Sequence, residues 1–245
     1  EQAALWAQGI VEVPVGRKPR VAIASSGDEL CDVSEEPNGR IVDTNAPVLA
    51  QLVSLNGGVP TVLGRAADRL DAMRDLFRQG LSHDVLVTVA GASVGEKDFT
   101  REALESLGVA VDFWKVAMKP GKPLAVGRKD STLVFGLPGN PVSAMVTFEL
   151  FVRPALRLLQ GLPLGVPALP ARVAEPIKKA AGLRHFVRAR LERRGHELWA
   201  LPLASQSSGA LASAVGATHL ISIPPDETQV PSGAVVDVLP LSWGA

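Results

Sequence analysis

The chain has 245 residues, with 25 Lys and Arg set against 25 Asp and Glu, so its formal net charge is zero. A nucleic-acid binder usually carries a basic excess and a membrane span needs roughly 20 consecutive apolar residues; the sequence shows neither. Cys31 is the single cysteine, which excludes an internal disulfide and a Cys-ligated zinc site within one chain and fits a reducing, cytoplasmic compartment.

The first residues, Glu1 to Gly9, lack the basic start and apolar centre of a secretory signal. They read as the tail of a helix ended by Gly9, and residues 1–17 are expected to be a helix stub and linker from a preceding region. From Arg20 strands and helices alternate. Val21 to Ala24 is a short apolar run beside a polar loop, as in a buried parallel strand. Asn45 to Leu55 has Ala46, Leu49, Leu52 and Val53 at helical spacing, and Asn56-Gly57-Gly58 stops it. Val59 to Leu63 is the next strand. Asp68 to Gln79 is a helix with Asp68 as its expected N-cap and Gly80 as its end. Asp84 to Ala90 is the strongest strand signal; a helix over Asp98 to Leu107, a strand over Leu133 to Phe135 and a long helix over Pro141 to Leu159 follow. Such alternation predicts a three-layer α/β/α domain with a mostly parallel sheet over residues 18–160.

The pattern changes after Gly161. Residues 161–170 carry three prolines and two glycines and read as a linker. Residues 171–245 hold short period-2 runs, at Phe186 to Leu191, Glu197 to Leu203, His219 to Ile223 and Ala234 to Leu239, which predict a small barrel-like all-β domain.

In an open α/β sheet ligands bind beyond the carboxyl ends of the strands. Four loops there are rich in reactive groups. Ser25-Ser-Gly-Asp-Glu-Leu30 offers hydroxyls and two carboxylates. Gly91-Ala-Ser-Val-Gly-Glu-Lys-Asp98 offers a glycine backbone before a helix N-terminus, an arrangement that favours an anion, and Asp98 can cap that helix or hold a metal. It is neither a Walker A loop nor a dinucleotide fingerprint. Lys115-Val-Ala-Met-Lys-Pro-Gly-Lys-Pro123 places three lysines on a stretch stiffened by proline. Gly136-Leu-Pro-Gly-Asn-Pro-Val-Ser143 reads as a strand-to-helix turn, with Asn140 as N-cap and Pro141 at the first helical position. Carboxylates, lysines and amide-rich turns together describe a site for a phosphorylated or otherwise anionic small molecule with Mg²⁺. His83, His185, His196 and His219 have no metal-ligand spacing, no Gly-x-Ser-x-Gly elbow occurs, and the four tryptophans read as packing residues.

These loops, in this order, together with Ile41-Val-Asp-Thr-Asn45, resemble the molybdopterin molybdenumtransferase family, which includes bacterial MoeA and the gephyrin E domain. The strings Phe113 to Pro123 and Gly136 to Ser143 carry most of the specificity; Phe186-Val-Arg188, Gln206 to Gly209 and Leu220 to Pro224 extend the likeness into the β domain. The resemblance implies Mg²⁺-dependent insertion of molybdate into adenylylated molybdopterin with release of AMP. It implies that Glu29, Asp68 and Asp98 are catalytic and metal-binding, and that Lys115 and Lys119 are catalytic. Lys122, with Arg188 and Ser208, would bind oxyanion. Gly91, Ser93, Gly95, Pro138, Asn140 and Pro141 would shape the pterin-phosphate cradle, and Asp43, Thr44 and Asn45 would line the sheet edge. It further implies a homodimer when full-length, contact with other enzymes of molybdenum cofactor biosynthesis, and no nucleic-acid or membrane partner. Two departures stand out: Ala90 replaces a usual glycine and Ser26 a usual threonine. The alternatives are a molybdopterin adenylyltransferase, against which the β domain argues, and a non-catalytic scaffold, against which Lys119, Lys122 and Asp98 argue.

Overall fold

The computed structural model describes residues 1–90, 99–165 and 167–244. Its elements begin with helix α1 (Gln2–Ala7), strand β1 (Arg20–Ser26), the two-residue strands β2 (Leu30–Cys31) and β3 (Ile41–Val42), helix α2 (Asn45–Leu55), β4 (Val59–Ala66), α3 (Leu70–Gly80) and β5 (Val85–Ala90). Then come α4 (Phe99–Ser106), β6 (Ala110–Phe113), β7 (Met118–Lys119), β8 (Ala125–Lys129) and β9 (Thr132–Leu137). A continuous helical run follows: α5 (Pro141–Thr147), a π-helical turn at Phe148–Val152, and α6 (Arg153–Leu159). No helix among the described residues is long and apolar enough to cross a membrane.

The first sheet has strand order β4-β1-β5-β9-β8-β6 among the described residues. β4, β1, β5 and β9 run parallel, and β8 is antiparallel to both β9 and β6. Alternate side chains sort to opposite faces, as strand geometry requires. Val21, Ile23, Val85, Val87, Val89 and Phe135 pack with α2 and α5 on one side. Ala22, Ala24, Leu86 and Val134 meet Met73, Phe77, Ala103 and Leu104 of α3 and α4 on the other. This is the three-layer α/β/α arrangement with a mostly parallel sheet. The antiparallel β6 and β8 were not foreseen, because Ala125-Val-Gly-Arg-Lys129 has one β-branched residue and no long apolar stripe.

The second domain is built from β10 (Leu169–Val173), β11 (Ile177–Lys178), β12 (Arg184–Arg194), β13 (Glu197–Pro202), β14 (His219–Ile223), β15 (Gln229–Val230) and β16 (Val235–Pro240), with a 3-10 turn at Leu211–Ala214. The order β13-β10-β16-β14-β12, with β12 pairing back to β13, closes a five-stranded barrel. Val173, Val187, Ala189, Ala200, Ile221 and Val238 fill it. β10 begins at Leu169, inside the stretch read as linker.

β12 also pairs in parallel with β7 of the first domain, Met118 beside Arg184 and Lys119 beside His185. A second tie joins the π turn to the chain end. Glu149, whose side chain is almost wholly buried, accepts from Arg153 Nη1 at 2.6 Å and from Ser242 N at 3.2 Å, and also from the Ser242 hydroxyl. Arg153 donates in turn to the Pro240 carbonyl.

Several local expectations change. β4 runs to Ala66, three residues beyond Leu63. α3 starts at Leu70, so Asp68 does not cap it; Asp68 instead exchanges hydrogen bonds with Asp28. Asn140 precedes α5 in an extended conformation but makes no side-chain capping bond. Trp6 is 64% exposed and packs little.

Candidate functional site

The loop after β1 turns at Gly27, which has φ +145°. A Cβ there would lie 2.6 Å from Glu29 Oε2, because the Glu29 side chain folds back across the turn. Glu29 Oε1 is buried and has no hydrogen-bond partner among the described residues. Asp28 N donates to Asp68 Oδ2 at 3.3 Å and Asp68 N donates to Asp28 Oδ1 at 3.2 Å, which brings the end of β4 beside the Glu29 turn. Arg65 bonds Glu35 at 2.8 Å and Arg40 bonds it at 2.7 Å. Arg65 first, then Arg40, hold the Glu35 carboxyl below the usual range and pin the loop between β2 and β3.

That loop delivers Asp43. Its Oδ1 accepts from Asn45 N at 3.1 Å and Ala46 N at 3.2 Å, so Asp43 supplies the cap of α2. Asn45 Nδ2 reaches the Gly139 carbonyl at 2.8 Å and ties α2 to the turn before α5. Val142 N donates to the Ser208 carbonyl at 3.1 Å, and Asn140 Nδ2 lies 3.5 Å from Ser208 Oγ. The barrel thereby sets one of its loops against the sheet's carboxyl edge.

A cavity of about 200 Å³ lies where these segments meet. Ser25, Asp43, Thr44, Asn45 and Asn140 supply its polar wall, and Leu30, Ile41, Val42, Val89 and Pro141 its apolar one. Gly139 and Gly209 complete it. Ser25 is 1% exposed, and its hydroxyl has no partner among the described residues. The first loop motif, Ser25 to Leu30, included Ser25 as one of its hydroxyls, but gave it no role of its own.

The structure therefore gathers Asp43, Thr44, Asn45, Asn140 and Pro141 around one cavity, with Pro138 buried in the adjoining turn. The lysine loop stands apart from the cavity lining. Lys115, Lys119 and Lys122 are exposed, and no acid of the described residues pairs with them. Val116 N donates to the Lys122 carbonyl at 3.1 Å and Arg184 N to the Ala117 carbonyl at 3.0 Å, so the loop is held at its neck and on the barrel. Gly121, at φ +102°, packs where a Cβ would be 2.5 Å from Thr147 Cγ2. Burial, and after it the charges of Lys119, Lys179 and Arg188, push the His185 imidazole down to about 4.

Arg188 is fully buried. Its Nε donates to the Ser213 carbonyl at 3.0 Å and its Nη2 to those of Ser205 and Ser207 at 3.2 Å, while Nη1 has no partner among the described residues. Burial lowers its pKa. Ser208 sits on the loop that this guanidinium organises. Gly91, Ser93, Gly95 and Asp98 lie outside the described residues. Among the described residues no group of three His, Cys, Asp or Glu side chains is gathered as a metal centre.

A mostly parallel α/β sheet with a cavity at its carboxyl edge, abutted by a loop from a five-stranded barrel, defines a two-module protein whose cavity lies where open α/β folds take small ligands. Residues 22–158 match the family described as "Probable molybdopterin binding domain", and residues 170–241 match the MoeA C-terminal region, domain IV. The chain belongs to the MoeA family. It is 36% identical over 236 residues to the molybdopterin molybdenumtransferase of Bacillus subtilis, with 94% of this chain and 54% of that protein covered. Two crystal structures of the MoeA protein of Pyrococcus horikoshii superpose with TM-scores of 0.84 and 0.80 at 31% and 26% identity. They cover 98% and 97% of this chain and 58% of each of those chains. The chain thus spans about half the length of the curated relatives it matches.

Proposed function

We propose that the chain is part of a molybdopterin molybdenumtransferase that uses Mg²⁺ to insert molybdate-derived molybdenum into adenylylated molybdopterin, releasing AMP. The observation that carries this is the match of both modules, in order, to a family whose relatives bear that enzyme's name. The barrel match favours it over an adenylyltransferase built on the α/β domain alone.

The chemistry of the residues supports the reading. Lys115, Lys119 and Lys122 are exposed and unpaired with described acids, so their charge is available to a phosphate or molybdate oxyanion. Glu29 keeps a buried carboxylate oxygen free of partners, and Asp68 stands by the same turn. Hard carboxylate oxygens of this kind suit Mg²⁺, which needs only one or two of them beside substrate phosphates and water. Glu29 and Asp68 would hold the ion, with Asp98 as the third acid. Bound there, Mg²⁺ supplies neutralisation of anhydride charge as the phosphorus–oxygen bond breaks. The lysines orient the anions, and the cavity wall excludes water from the ring-bearing end of the substrate. We infer that the full-length protein works as a cytoplasmic homodimer alongside other enzymes of the same biosynthesis.

The test is AMP release from adenylylated molybdopterin and molybdate by the full-length protein, followed chromatographically. Lys119→Ala and Glu29→Gln are each expected to slow turnover about tenfold or more. Undiminished turnover in both would refute the proposal.

A further inference from the structure

A second cavity, of about 520 Å³, shares no lining residue with the one at the sheet edge. Val48 of α2, Met145 of α5, Leu211 and Ala214 of the 3-10 turn and Trp243 near the chain end line it, so both domains contribute. Its walls are tied in place. Ser213 in the turn accepts from Arg188 Nε at 3.0 Å on its carbonyl, and its hydroxyl donates to the Ser207 carbonyl at 2.5 Å. Leu241 N donates to the Thr218 carbonyl at 2.9 Å, and Ser242 N donates to Glu149 at 3.2 Å, just before Trp243. Gly244 lies so close that an added Cβ would be 2.5 Å from Thr218 Cα. Walls held this way stand before a ligand arrives, as in most small-molecule sites, and the size falls within their range of roughly 300–1,000 Å³.

Among the described residues no charged side chain lines this cavity. A phosphate, carboxylate or ammonium entering it would give up water without gaining an opposite charge. Thr218 brings a hydroxyl, but that oxygen already accepts from Leu191 N at 3.2 Å and meets His219 Nδ1 at 2.9 Å. Trp243 brings a donor with no use: its indole Nε1 is buried and has no partner among the described residues. An indole N–H only donates, and a buried tryptophan usually finds an acceptor. A pure hydrocarbon would fill the cavity and leave that donor unpaired, at a cost in free energy. The indole ring and the Met145 thioether both favour contact with an aromatic ring. We propose that this interdomain cavity is a second ligand site, for a neutral molecule of one or two aromatic rings bearing a single carbonyl, which accepts from the Trp243 indole N–H. The site is independent of the reaction proposed above, because no residue given a part in that reaction lines it.

The test uses two probes of nearly the same shape, benzophenone and diphenylmethane, which differ in the carbonyl. Equilibrium dialysis against the full-length protein gives their affinities, and irradiation of bound benzophenone cross-links it to nearby C–H groups for peptide mapping. Benzophenone is expected to bind about three- to tenfold more tightly than diphenylmethane, the worth of one neutral hydrogen bond. Its cross-links should fall on Met145, on Leu211 to Thr218 or on Trp243. Trp243→Phe keeps an apolar ring and removes the N–H, so the ratio of the two affinities should fall to about one. Ala212 lines the cavity from an exposed position, so Ala212→Trp is expected to fold normally by circular dichroism and to weaken both probes about tenfold by filling their space. Equal affinity for the two probes in the wild type overturns the assignment. So does an unchanged ratio in Trp243→Phe, undiminished binding in Ala212→Trp, cross-linking confined to other peptides, or no saturable benzophenone binding up to its solubility limit.

Discussion

Asn45 donates its side-chain amide to the Gly139 carbonyl at 2.8 Å, bridging 94 residues of sequence. The bond joins the first turn of α2 to the turn before α5, and both turns line the same cavity. Asn45→Ala leaves the partly buried Gly139 carbonyl without this donor and is expected to cost about 1–2 kcal/mol. Urea denaturation measures that loss. Asn45→Asp should be no better than alanine, because a carboxylate cannot donate to a carbonyl.

Gly121 fixes the lysine loop against the helix that follows. Its φ is +102°, and an added Cβ would approach Thr147 Cγ2 at 2.5 Å and Met118 Cε at 3.0 Å. Gly121→Ala is expected to destabilise by about 2 kcal/mol or more, combining backbone strain with a close contact. Adding Thr147→Ser removes the methyl group and should recover only part of the loss, since the strained φ persists. Melting temperatures of the single and double variants distinguish the two contributions.

His185 gives stability a pH dependence. In the folded chain burial and neighbouring cations hold its pKa at about 4, against an ordinary value of 6.5. Between those values the unfolded chain binds more protons, so stability rises with pH across that window. The contribution is complete above about 6.5 and is lost as pH falls toward 4. The ring is only half-buried, so the slope should fall well short of the full single-proton value. Asp84 acts in a lower range: the Arg17 hydrogen bond holds it at about 2, and its contribution, present above its ordinary 3.8, is lost as pH falls through 2. Urea midpoints for the wild type and His185→Asn from pH 4 to 7 should converge at the acid end.

Glu149 fastens the chain end to the long helix. Arg153 and Ser242 both bond its carboxylate, and its side chain is 2% exposed. Glu149→Ala leaves Arg153 without its partner in a mostly buried setting and is expected to cost about 3 kcal/mol. Ser242→Ala removes one hydroxyl donor and should cost about 1 kcal/mol. Hydrogen exchange at Leu241 to Gly244 should rise in both, and a flat exchange profile in Glu149→Ala would remove this tie from the account.

The order of strands and helices was legible because each parallel strand is a short apolar run and each helix has apolar residues at a 3.6 period. Val21 to Ala24 and Asn45 to Leu55 show both signals, and the structure keeps them within a few residues. Local chemistry also named the loops that end up at the sheet edge. Pairing was not legible. β8 adds an antiparallel strand of weakly apolar sequence to the open edge of β9, and β6 then pairs antiparallel with β8. Asp68 reads as a helix cap from spacing, yet its partner is Asp28, 40 positions earlier. The resemblance gives Arg188 an oxyanion-binding role; its burial was not legible, nor that its Nε and Nη2 donate to carbonyls of the Ser205 to Ser213 loop. Ser25 is one more strand-end serine until packing strips away its water. Sequence by itself determined which segments form elements, since backbone propensity and hydrophobic periodicity act over a few residues. Only the tertiary structure decided which polar groups are satisfied and which are left facing a cavity, because that depends on contacts between residues tens of positions apart.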